Sequence, residues 1–88
     1  NNHIYITNFS EQTLENISVG GMGFEEKVAQ LPPNDTTVVI VDPIVPNRLT
    51  MSFYSGEARK AEEIVSGHFS SSDTFHFQIN KDLSITSR

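Results

Sequence analysis

The residues that could do chemistry here are three histidines, eleven carboxylates and many hydroxyls, in a chain without cysteine. His68, Asp73 and His76 fall close together, and His3 could approach from elsewhere in the fold. Neutral imidazoles with one carboxylate suit zinc. Their spacing matches no compact metal motif, and a serine-rich loop separates His68 from His76. The expectation is therefore exposed histidines on a polar strand face, with no metal and no cofactor. Nucleophilic catalysis needs Ser or Thr beside an oriented His, or a thiol. Val65-Ser66-Gly67 lacks the first glycine of a nucleophile elbow, and the missing cysteine removes thiol chemistry, disulfides and zinc–thiolate sites together. Gly20-Gly21-Met22-Gly23 is followed by Glu25 and Glu26 rather than Lys-Ser/Thr, so it repels phosphate instead of cradling it. Asn34-Asp35 and Asp82 stand alone, without the regular oxygen spacing of a calcium loop. The chain reads as a non-enzyme.

Binding chemistry remains. Tyr5 and Tyr54 are the aromatic candidates for an outward platform, and no tryptophan joins them. They carry an alternative reading, carbohydrate binding on a sheet face, beside the metal alternative at His68 and His76. Acidic residues cluster at Glu25-Glu26, Glu57 and Glu62-Glu63. Six Lys and Arg against eleven Asp and Glu leave a net charge of −5. That sign opposes binding to nucleic acid phosphates or to an anionic membrane surface. It suits steering of a basic protein partner, and it equally suits solubility. Tyr5, Tyr54, Glu62 and Glu63 are the partner-binding candidates. Three Asn-x-Ser/Thr sequons begin at Asn8, Asn16 and Asn34; they read as turn and strand chemistry.

The elements that must position these groups are short apolar alternations broken by turns. Positions 3–7 form a strand with Ile4 and Ile6 on one face. Asn8 to Gln12 is a turn. Thr13 to Val19 is a second strand, in which Leu14 is out of phase with Ile17 and Val19 and predicts a bulge near Glu15-Asn16. Phe24 to Leu31 reads as an irregular edge strand blunted by Glu25, Glu26 and Lys27. Pro32-Pro33-Asn34-Asp35 is a stop and turn. Thr36 to Val41, a nearly continuous β-branched run, reads as a strand covered on both faces or central in its sheet. Pro43 and Pro46 bracket a crossing loop. Arg48 to Tyr54 turns Leu49, Met51 and Phe53 inward. Asp73 to Ile79 turns Phe75, Phe77 and Ile79 inward and His76 outward. Asn80-Lys81-Asp82 makes a hairpin, after which Leu83 and Ile85 resume the pattern. Gly67 to Ser72 is a solvated loop. The stretch 57–66 is rich in helix formers, but its place after Ser55-Gly56-Glu57, between two strong strands, favours the return strand of a hairpin; a short helix is the alternative.

Seven to eight short strands spaced by turns predict a single all-β domain over residues 1–88, an antiparallel two-sheet sandwich. Its core should hold Ile4, Ile6, Ile17, Val19, Val39, Leu49, Met51, Phe53, Phe75, Phe77, Ile79 and Ile85. The longest uncharged apolar run, Val38 to Val41, is far too short to span a bilayer. Ile4-Tyr5-Ile6-Thr7-Asn8 with its polar turn, then Leu31-Pro32-Pro33-Asn34-Asp35-Thr36, resembles the opening of small bacterial immunoglobulin-like domains. The likeness covers roughly the first fifty residues. It implies a sandwich architecture and an extracytoplasmic (periplasmic, secreted or surface) habit, without the paired cysteines and core tryptophan of immunoglobulin domains. A chain beginning at Asn1 reads as a processed or trimmed piece of a longer one. The expected function is a non-enzymatic extracytoplasmic module that binds a protein or serves a structural role, in its sharper form an inhibitor- or immunity-type protein covering a basic partner.

Overall fold

Alternation with period two in β-branched and aromatic residues buries one side of each strand, and two such half-buried sheets must close on each other. The computed structural model, which describes residues 2–21, 23–41, 48–65 and 73–88, shows that closure. Its eight described strands are β1 (Asn2–Asn8), β2 (Leu14–Gly21), β3 (Phe24–Leu31), β4 (Thr36–Val41), β5 (Leu49–Ser55), β6 (Ala58–Val65), β7 (Thr74–Ile79) and β8 (Ile85–Ser87), with no helix among the described residues. One sheet has the order β4-β1-β7-β8 and the other β3-β2-β5-β6. The expected loops at Pro43–Pro46 and Gly67–Ser72 lie outside the described residues.

Ile4, Ile6, Leu14, Ile17, Val19, Leu49, Met51, Phe53 and Ile79 are wholly buried between the sheets, and Leu31, Val39, Val41 and Phe77 nearly so. Each large side chain of this kind contributes about 1.5–3 kcal/mol relative to exposure. Phe75 and Ile85, expected in the core, pack against it half-buried. The segment 58–65 is a strand, not a helix. It returns from β5 through Gly56-Glu57, where Gly56 takes φ 62°. A positive φ at the first loop residue alone is the II′ turn that a two-residue hairpin favours, and glycine adopts it without strain.

Four expectations are corrected. The sandwich is not wholly antiparallel: β1 pairs with β7 in parallel, Tyr5 opposite His76. Parallel pairing of the first and seventh strands is a long-range choice that local alternation does not encode. Second, β4 is neither central nor covered on both faces; it is the edge of its sheet, with Val38 42% and Ile40 47% exposed. Third, Leu14 and Leu31 belong to the core. They face each other across β2 and β3, as do Ile17 and Val28, so both strands change phase together. Asn16, at φ 50°, supplies the extra residue, and the β2–β5 register shifts between Glu15 and Ser18 as the expected bulge requires. Fourth, Leu83 does not resume strand alternation. Its N–H donates to Asn80 O at 2.9 Å and its φ is 69°, the left-handed position of a bulged hairpin.

The chain's buried polar groups tie the strand ends. Asn2, fully buried, donates to Val41 O (3.4 Å) and accepts from Asp73 N (2.9 Å), joining β1 to both neighbours. At the other end Arg88 donates to Thr7 Oγ1 (3.0 Å) and lies over the Phe9 ring at 5.1 Å.

Candidate functional site

The two outer sheet faces present different chemistry. On the β4-β1-β7 face the outward positions are Val38 and Ile40, then His3 and Tyr5, then Thr74 and His76, because Ile4, Ile6, Val39, Phe75 and Phe77 take the inward ones. Tyr5 and His76 stack, centroids 4.9 Å apart and planes 9° from parallel. None of these six outward residues is a carboxylate, lysine or arginine.

β4 also offers backbone. Asn8 N donates to Asp35 O at 3.0 Å, while His3 N and Phe9 N donate to Asp73 O and Ile79 O. Even positions of β1 therefore bond toward β4 and odd positions toward β7. Antiparallel alternation then turns the N–H and C=O groups of Thr36, Val38 and Ile40 away from β1. An edge of this kind is a template for a further strand.

The opposite face, on β3-β2-β5-β6, is a shallow trough of about 530 Å³. Its floor is small: Ser18 and Gly20 from β2, Thr50 and Ser52 from β5. Its walls are Phe24 and Glu25 from β3, Arg48, and Arg59 from β6. Gly21 lets two wall residues close in: a Cβ there would stand 2.6 Å from Arg48 O and 2.9 Å from the Phe24 ring. Charges are held in place. Ser18 Oγ donates to Glu25 Oε2 (2.7 Å), Lys27 lies 3.6 Å from Glu25 Oε1, and Arg48 Nε lies 3.4 Å from Glu63 Oε1. The serine bond first, then the lysine charge, hold the Glu25 carboxyl below its ordinary pKa.

The sequence candidates separate across this geometry. Tyr5 and Tyr54 both face outward, but from different sheets, so they do not form one platform. Tyr54 pairs with Arg59 and edges the far end of the trough. His76 is brought to Tyr5, while His68 lies outside the described residues. Among the described residues no group of three or more His, Asp or Glu is placed to hold a metal. Glu63 joins Arg48 on the trough side of β6; Glu62 takes the alternate side, near Leu83 and Ile85. Of the sequons, Asn8 is wholly buried with its amide committed to Gln12 O (2.8 Å) and Leu31 O (2.9 Å). Its Nδ2 is thus unavailable in the folded chain.

Sequence reasoning missed Val38 and Ile40, because a β-branched run reads alike whether covered or bare. It also missed the trough. Its signal was present in the small outward residues Ser18, Gly20, Thr50 and Ser52. Fold and faces together define an all-β two-sheet sandwich. Neither the family models, the curated proteins nor the solved structures compared with it give a match.

Proposed function

We propose that this chain is a non-enzymatic, extracytoplasmic β-sandwich module that binds another protein through the β4 edge and its outer face. One observation carries the reading: β4 is an edge strand without a charge, and it turns Val38 and Ile40 outward beside the Tyr5–His76 stack. Such an edge accepts an extended segment by main-chain pairing, while alternate side chains contribute specificity. The net charge of −5 steers a basic partner toward a face whose six residues around the Tyr5–His76 stack carry no carboxylate, lysine or arginine, with Arg88 at its end beside Thr7. An inhibitor- or immunity-type role is the sharper form of the same proposal. Of the immunoglobulin-like reading it keeps the two-sheet architecture; β1, between β4 and β7 rather than beside β2, has its own place.

The test is affinity retention from the source organism's extract, with the native chain and a Val38→Lys, Ile40→Glu variant side by side. A basic protein held by the native chain, released by added salt and lost with the variant is the expected result. Equal retention by both, or none at any salt concentration, would overturn the proposal.

A second reading, a small polar ligand such as a carbohydrate, is favoured by the trough. Its volume falls within the usual range of ligand sites, about 300–1,000 Å³, and it joins an aromatic wall at Phe24 to the polar groups of Glu25, Arg48 and Arg59. Glycan-array binding abolished by Arg59→Ala would support that reading; an array without signal would remove it.

A further inference from the structure

The β6 edge carries a pattern that is its own complement. Arg59-Lys60-Ala61-Glu62-Glu63 reads cation, cation, alanine, anion, anion. β6 is the edge of the second sheet, and every residue from Ala58 to Glu63 is exposed. Charged edges ordinarily repel strands. This one repels most strands but matches an antiparallel copy of itself. Centred on Ala61, such a pairing sets Arg59 opposite Glu63 of the second copy and Lys60 opposite Glu62, and the two-fold axis repeats both pairs.

The backbone phase agrees. Ser55 and Ala58 flank the two-residue loop and so exchange backbone hydrogen bonds, as do Phe53 with Lys60 and Met51 with Glu62 in alternation. Arg59, Ala61 and Glu63 therefore turn their N–H and C=O groups to the open edge. Those are the groups a pairing centred on Ala61 requires, and alanine is the smallest side chain that can sit beside the axis in an L-residue strand. The pairable length is bounded on both sides. The Gly56-Glu57 turn precedes it, and the β5–β6 register shifts between Leu49 and Thr50, opposite Ile64. A slipped register brings like charges together. Among the described residues Arg59, Lys60 and Glu62 make no ion pair within 4 Å, although the Lys60 charge acts on Asp82 across the sandwich, and Glu63 reaches Arg48.

We infer that this chain self-associates as a two-fold dimer through antiparallel β6–β6 pairing centred on Ala61, with Arg59–Glu63 and Lys60–Glu62 ion pairs across the interface. The two second sheets merge into one continuous antiparallel sheet. The contact lies on the sheet opposite β4, so it is independent of the proposed partner face.

Sedimentation velocity on purified chain tests this. The native chain should pass from its 9.8 kDa monomer to twice that mass as concentration rises through the micromolar to millimolar range. Arg59→Glu alone, or Glu63→Arg alone, sets like charges opposite one another twice and should weaken self-association about tenfold or more. Mixed in equal amounts, those two variants regain complementarity and should form a mixed dimer. Ala61→Pro removes the central N–H without touching the β5 ladder and should leave a monomer with unchanged circular dichroism. A native chain that stays monomeric throughout, single variants that associate like the native chain, or a mixture that stays monomeric would each overturn the inference.

Discussion

The Tyr5 ring lies flat on the His76 imidazole, 4.9 Å between centroids, and it does so because β1 and β7 run parallel with these two residues in register. The stack closes the seam between the first and seventh strands on the outer face, opposite the buried Ile4 and Phe77. Aromatic pairs of this geometry contribute about 0.5–1.5 kcal/mol beyond area burial. A double-mutant cycle with Tyr5→Ala and His76→Ala, followed by urea denaturation, should return a coupling energy in that range. A coupling near zero would mean that the two rings share a face without supporting each other.

Asn8 should be the costliest polar position to lose. It is wholly buried, and each of its amide atoms is used: Nδ2 bonds Gln12 O and Leu31 O, while Oδ1 accepts Ser10 N (2.9 Å) and Ser10 Oγ (2.6 Å). One side chain thereby joins the end of β1, its following turn and the end of β3. Removing it strands several buried partners at once, each costing about 1–3 kcal/mol. Asn8→Ala should destabilise by roughly 2–4 kcal/mol, as measured by denaturant midpoint. Asn34→Gly should be nearly neutral, since Asn34 is an exposed turn residue at φ 67°.

What could be read from the sequence was set by how locally each feature is encoded. The inward rows of β5 and β7 follow from alternation alone, and the bulge near Asn16 follows from the lost phase of Leu14. The strand at 58–65 was legible only through its neighbours, because its own residues favour helix. The exposure of Val38 and Ile40 was not legible, since burial of a β-branched strand depends on which strands flank it. Nor was the parallel β1–β7 pairing, which joins residues far apart in the chain. The candidate sites shared that limit: residue types could be found, but the sheet on which each lay could not. Tyr5 and Tyr54 therefore looked like partners and stand on opposite faces.

Acid should weaken the fold through two exposed carboxyls. Asp82 is held below its ordinary pKa by Ser84, whose hydroxyl donates at 2.6 Å and whose backbone N–H donates at 3.0 Å. Glu25 is lowered by the Ser18 hydroxyl and then by Lys27. A depressed folded pKa means that the unfolded chain binds more protons in the acid range. The stabilisation is thus complete above the unfolded carboxyl value of about 4 and is lost as pH falls through the lower folded value. Thermal midpoints should be flat near neutrality and decline below about pH 4. Asp82→Asn and Glu25→Gln should each reduce that slope by lowering the neutral-pH midpoint toward the acid value, since the amide lacks the charged form's extra stabilisation. An unaltered acid slope in the double variant would assign the loss to other carboxyls.

Gly21 should tolerate a methyl group less well than its neighbour Gly20. A Cβ at Gly21 meets the Arg48 carbonyl oxygen at 2.6 Å and two Phe24 ring carbons at 2.9 and 3.0 Å. The ring could rotate, but the carbonyl belongs to the backbone leading into β5 and cannot yield without moving that strand. At Gly20 the nearest atom is Phe24 O at 3.0 Å, and at Gly56 nothing lies within 4 Å, so only its φ of 62° opposes substitution. Overpacking of this kind costs about 1–3 kcal/mol, and the positive φ of Gly56 costs an alanine a comparable amount. Gly21→Ala should therefore be more destabilising than Gly20→Ala, where the nearest atom stands 3.0 Å away. Because Arg48 also holds Glu63 at 3.4 Å, the amide shifts that follow should reach Arg48, Phe24 and Glu63 together. Shifts confined to residues beside position 21 in the chain would show that the β2–β5 contact yields more easily than the backbone geometry implies.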